Sequence, residues 1–159
     1  MKAEEFVEKL KTLNPPIEVE QFEDAEDYSD ELVNLVMNYD VSEIDFGDIA
    51  FADEVLGDEE TFELGMYEEK FLIIDRNSGE VYVERDDEDG TRVFTCAETS
   101  EKFLDALWVV VRYFAFQLNE KLKETDIESC EEKAKQCAEV AGNLEYVPFY
   151  QDFLNCYER

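Results

Sequence analysis

The side chains with the most chemical potential lie in one run, IIDRNSGEVYVERDDEDGTRVF, residues 73–94. Carboxylates there surround two glycines, and the pattern Asp-x-Asn-x-Gly occurs. Carboxylate oxygens at such spacing could ligate calcium, or a pair of them could exchange protons. An EF-hand loop needs oxygen ligands at positions 1, 3 and 5, Gly at 6 and Glu at 12. Counted from Asp75, Asn77 falls at position 3, but Gly79 falls at 5, Glu80 at 6 and Asp86 at 12. Counted from Asp86, Glu88 and Gly90 follow, and then Thr91, Val93 and Phe94 resume an alternating pattern. Neither frame is a calcium loop. Both fit tight turns instead, because Asn-Ser-Gly and Asp-Gly supply the positive φ angles that hairpins require. No metal site and no cofactor site follow from this run.

The elements around those turns are strands. KFLIID, EVYVER and TRVFTC are β-branched and aromatic runs of strand length. They predict a three-stranded meander over about residues 70–97. Upstream, Phe6, Val7, Leu10 and Leu13 share one face of a helix over residues 3–13, which Asn-Pro-Pro stops. IEVEQF alternates like an edge strand. A second helix begins near Ser29, with Tyr28, Leu32, Leu35, Val36 and Tyr39 on its buried side. EIDF and IAFA read as strand fragments broken at Gly47-Asp48, and TFELGMY as a further strand. Downstream, Thr99 or Ser100 caps a long helix with the spine Phe103, Leu107, Val111, Phe114, Leu118 and Leu122. Val109 and Phe116 make its other side apolar too, so both sides should be covered. The cover should be a C-terminal pair: a helix with the small-residue face Cys130, Ala134, Cys137, Ala138 and Ala141, and a last helix opened by Pro148.

Several chemistries are absent. The chain has 159 residues and no histidine, which excludes Ser-His and Cys-His nucleophiles and His-ligated metals. There is no GxxxxGK(S/T) or GxGxxG phosphate cradle. Carboxylate pairs carry little signal among 43 acids. The sequence therefore predicts a protein that is not an enzyme. Its hydrophobic content of 45% is enough for a core despite the charge, and one domain spanning residues 1–159 is expected. MKAEEFVEKLKTLN is amphipathic rather than a leader, and no apolar run is long enough to span a bilayer. A cytoplasmic location is the expectation. Cys96, Cys130, Cys137 and Cys156 show no CxxC spacing, and in that compartment they should be buried, reduced thiols.

Charge is the strongest signal. The net charge is −29, and between Lys11 and Lys70 there is no Lys or Arg across 58 residues holding 20 Asp and Glu. A merely solubilising surface would interleave cations, since like charges destabilise the folded state. A cationic partner explains the bias, because complementary potentials speed association and select partners. Direct nucleic-acid and membrane binding are disfavoured.

The stretch from Lys70 to Leu118 resembles the SUKH superfamily, whose members are similar to yeast cell-wall-synthesis regulators and include bacterial immunity proteins against polymorphic toxins. NSGEVYVERDDEDGTRVF resembles the family's "dxxGxVy" hairpin, and ETSEKFLDALWVVVRYF its sheet-covering helix. The resemblance implies an α+β fold, a twisted antiparallel sheet packed against helices, and binding rather than catalysis. Together with the charge it leads to an immunity protein that occludes a basic toxin, such as a nuclease or another nucleic-acid-directed enzyme. The expected contact residues are Asp45, Asp48, Asp53, Glu54, Asp58, Glu59 and Glu60, which flank Gly turns and short strands. Phe46, Phe51 and Tyr67 are candidate central anchors, each also readable as core. The alternatives are a DNA mimic and an acidic scaffold or regulatory domain without a toxin.

Overall fold

The computed structural model describes residues 1–119 and 127–156, without the side chains of residues 118, 119, 127 and 128. The chain runs α1 (Ala3–Leu10), α2 (Glu31–Asn38), β1 (Ile49–Gly57), β2 (Thr61–Tyr67), β3 (Lys70–Asp75), β4 (Val81–Glu84), β5 (Arg92–Ala97), α3 (Ser100–Asn119), α4 (Ile127–Ala141), a 3₁₀ turn (Leu144–Tyr146) and α5 (Val147–Phe153). The strands form one antiparallel sheet in chain order, β1-β2-β3-β4-β5. The fold is α+β, as expected, and the meander is part of a five-stranded sheet.

Acids of the meander build its turns. Asp75 Oδ1 accepts the backbone N–H groups of Asn77 and Ser78 at 2.9 and 3.3 Å. Asp87 Oδ1 accepts that of Gly90 at 2.7 Å. These are turn-building carboxylates, with Gly79 and Gly90 at φ 84° and 57°.

The central strands are buried on both faces, with three consecutive buried residues in each of β3 and β4, and side chains of one face alternate with those of the other. Leu72 and Ile74 of β3 and Val81 and Val83 of β4 join the core, while Ile73 and Tyr82 stand outside it. The Arg92 guanidinium lies 4.0 Å from the Tyr82 ring centroid on that outer face. Helix ends are tied by carboxylates. Asp30 Oδ1 accepts the N–H groups of Leu32 and Val33 at 2.9 and 3.1 Å. Its Oδ2 accepts the Ser100 hydroxyl at 2.8 Å, so one residue caps α2 and anchors the start of α3. Thr99 Oγ1 accepts from the Lys102 N–H at 3.2 Å.

The spine of α3 is buried at Phe103, Leu107 and Val111, and the small face of α4 is buried at all five positions expected. The cover is incomplete on the second side of α3, where Phe116 is 55% exposed. Leu122 and the side chain of Leu118 lie outside the described residues.

Three expectations are corrected. IEVEQF is not a strand: it makes a single bridge, Gln21 to Tyr39, alongside the end of α2. EIDF is not one either, contributing only a bridge from Phe46 to Ile49, whereas IAFA opens the nine-residue β1. The cysteines are not all reduced, since Cys130 and Cys156 form a disulfide that ties α4 to the residues just past α5. Cys96 and Cys137 are buried free thiols. The cross-link joins positions 26 apart that only the fold-back of α5 onto α4 brings together. Among the described residues no helix is long and apolar enough to cross a membrane.

Candidate protein-interaction surface

The acidic segment is shaped by an irregular edge strand. β1 pairs with β2 from Ile49 to Phe51, loses register, and resumes at Leu56 opposite Glu63. The intervening residues 52–55 bulge from the ladder, as edge strands commonly do. Gly65 makes this possible. A Cβ there would lie 2.3 Å from the Ala50 carbonyl oxygen and 2.8 Å from the Phe51 Cα, so only glycine lets the two backbones approach this closely. The β2–β3 pairing also shifts between Glu63 and Gly65.

All seven acids expected at the interface are exposed, but they do not form one cluster. Asp45 and Asp48 lie at the start of β1. Partial burial and then the nearby charges of Glu68, Asp152 and Asp45 push the Asp48 carboxyl above its ordinary range. Asp53 and Glu54 sit on the bulge. Asp58, Glu59 and Glu60 form the β1–β2 turn at the far end. A nine-residue strand separates the two ends by roughly 20–25 Å. Two of the seven also build structure. Asp45 Oδ1 accepts the Gly47 N–H at 2.9 Å. Asp58 Oδ1 accepts the Glu60 and Thr61 N–H groups, each at 2.8 Å, and these bonds hold its carboxyl below the usual carboxylate range.

The aromatic anchors expected from the sequence are core residues. Phe46, Phe51 and Tyr67 are 1, 3 and 0% exposed. Tyr67 packs among Phe94, Phe149 and Phe153 and donates its hydroxyl to Asp152 Oδ2 at 2.6 Å. Burial, then that bond, pushes its phenol far above the ordinary range. Alternation along the chain cannot separate a buried tyrosine from an exposed one.

What the sequence reading missed is the apolar surface beside the acids. Leu56 is 55% exposed, and Met37, Val55 and Phe62 are half-buried. The available signal was Val55-Leu56, two adjacent apolar residues that break a period-two pattern and mark a bulge. Compared with family models, curated proteins and solved structures, the chain matches none.

Proposed function

We propose that this chain is a non-catalytic immunity protein of SUKH-like plan that binds and neutralises a basic toxin, a nuclease or other nucleic-acid-directed enzyme. The observation that carries the reading is the exposed acidic border of the sheet. Edge strand β1 and its flanking turns present Asp45, Asp48, Asp53, Glu54, Asp58, Glu59 and Glu60 to solvent, within a stretch that holds no Lys or Arg from residue 12 to residue 69. A toxin that grips phosphate carries Lys and Arg at its active cleft, and those cations are what this border complements. Acids at both ends of β1 and on its bulge suit a broad cationic surface better than a point contact.

The proposal places this action in the cytoplasm, where such a toxin meets nucleic acid. Reducing conditions there act on a disulfide through thiolate access. Cys130 is fully buried and Cys156 only 6% exposed, which supports persistence of the cross-link.

The test is co-expression with the product of the adjacent reading frame. The expected result is restored growth and a stoichiometric complex whose association slows steeply as salt rises. Reversing Glu54, Glu59 and Glu60 to Lys should slow association by roughly tenfold or more. The same reversal at Glu131, Glu132 and Glu139 on exposed positions of α4 should matter less. Equal effects from the two sets would move the interface off β1. Inhibition of many unrelated DNA-binding proteins would replace the immunity reading with DNA mimicry.

A further inference from the structure

Beside the bulge of β1 lies an open groove of about 580 Å³ between α2 and the β1–β2 hairpin. Its walls are Tyr28, Val33, Met37, Val55 and Phe62, and its rim carries Asp58, Glu59 and Arg76. The bulge turns the Val55 N–H toward α2, where it meets Met37 Sδ at 3.3 Å, a weak acceptor. The groove exists because β1 leaves its ladder here.

The rim's charges decide what can sit in it. Asp58 and Glu59 at the rim are exposed, and Asp53 and Glu54 are exposed on the adjoining bulge of β1. Arg76, the cation lining this groove, is already engaged: its guanidinium stacks 4.3 Å from the Phe62 ring centroid and donates to the Asp58 carbonyl oxygen. A second copy of this chain would bring another −29 charges to the rim and be repelled. An apolar side chain on a neutral segment would gain the groove but nothing from the carboxylates. An apolar side chain flanked by cations gains both. An apolar centre enclosed by a polar, water-excluding border is the usual layout of an interaction hot spot.

The geometry points to this groove as the central pocket of the partner interface, taking one aliphatic or aromatic side chain from a segment flanked by Lys or Arg. The inference rests on the basic-partner reading and adds to it the apolar residue that confers residence time, since dissociation depends on the buried centre more than on the charged border.

The test uses the wild-type chain with methyl-labelled Val and Met, titrated in low salt with three peptides: Lys-Arg-Phe-Arg-Lys, Lys-Arg-Ala-Arg-Lys and Ser-Gly-Phe-Gly-Ser. The expected result is that only the first shifts the methyl signals of Val33, Met37 and Val55 saturably, binding roughly tenfold or more tightly than the other two. Met37→Gln, which keeps the side chain's length and a good helix former in α2, should reduce its affinity to that of the Ala peptide. Equal binding of the two cationic peptides, with shifts confined to the amides of residues 53–60, overturns the groove while leaving the basic-partner reading standing. Equal binding of the cationic and neutral Phe peptides overturns the charge half, and with it the basic-partner reading. No binding by any of the three overturns both.

Discussion

Removing the Cys130–Cys156 bond by Cys130→Ala with Cys156→Ala should cost a large share of the stability. The bond closes a loop spanning 26 positions. Loop-closure entropy for that length is about 12 cal/mol/K, or about 3.5 kcal/mol at 25 °C. Total stabilities run about 5–15 kcal/mol, so the loss is a substantial fraction. For a chain of this size each kcal/mol moves the melting temperature by about 2–4 °C, which predicts a fall of about 7–14 °C. The α4–α5 region should feel it first, because the bond lies just past the helix whose Phe149 and Phe153 pack on Tyr67. The assay is a urea titration and a thermal melt followed by circular dichroism, on oxidised, reduced and double-Ala protein. Alkylation under denaturing conditions supplies the thiol count: two before reduction, Cys96 and Cys137. Four alkylated thiols in unreduced protein would show that the cross-link does not form. Two thiols, but midpoints that agree within about 0.5 kcal/mol, would refute the loop-entropy argument.

Gly65→Ala should destabilise by about 1–3 kcal/mol or more, because the new methyl meets backbone rather than a movable side chain; a urea midpoint equal to wild type would mean that β1 relaxes without cost. The melting temperature should rise from low to moderate NaCl, since 20 acids without an intervening cation repel one another and salt screens that within about 8 Å at physiological strength; a flat curve would show the acids to be compensated in the fold. Stability should hold through neutral pH and fall in alkali. Burial raises the phenols of Tyr67 and Tyr150 and the thiol of Cys96, and pushes the Cys137 thiol up to about 12. A raised value in the folded state means that the stabilisation is complete below the unfolded value, about 8.5 for Cys and about 10 for Tyr, and is lost as pH climbs past it. Urea midpoints unchanged up to about pH 11 would contradict this.

The meander was legible because its signals are local. Asx and glycine turns lie between alternating runs, and each turn's hydrogen bonds close within a few residues. The same locality explains β2 and the start of α3. β1 was legible only in its first half, since its second half rejoins the ladder only after the bulge at residues 52–55, and nothing near those residues announces that Gly65 will sit against Ala50 and Phe51. The Cys130–Cys156 bond, where reduced thiols are the expectation from compartment, was not legible for a related reason: the two residues are 26 positions apart and meet only when the chain folds back. At the surface, exposure of the acids followed from turn residues and charge. Their spread over both ends of β1 and its bulge, and the groove beside that bulge, required knowing where α2 packs.

The acids along β1 divide by what their oxygens do. Asp45 and Asp58 accept backbone N–H groups, so reversing them to Lys would damage turns as well as charge. Asp53, Glu54, Glu59 and Glu60 have carboxylates that accept no hydrogen bond among the described residues, and they can be altered with little structural consequence. The turn acids are themselves informative, however. Asn builds an Asx turn as well as Asp does, without the charge. A chain selected only for its fold would have relieved repulsion at such positions by neutral residues, or by a cation nearby. Here every choice between residues 12 and 69 leaves out Lys and Arg, even at Asp48, whose partial burial and then acidic neighbours make its own ionisation harder. Repulsion retained where neutral residues would build the same turns counts in favour of an external source of positive charge, and that is the argument for a cationic partner.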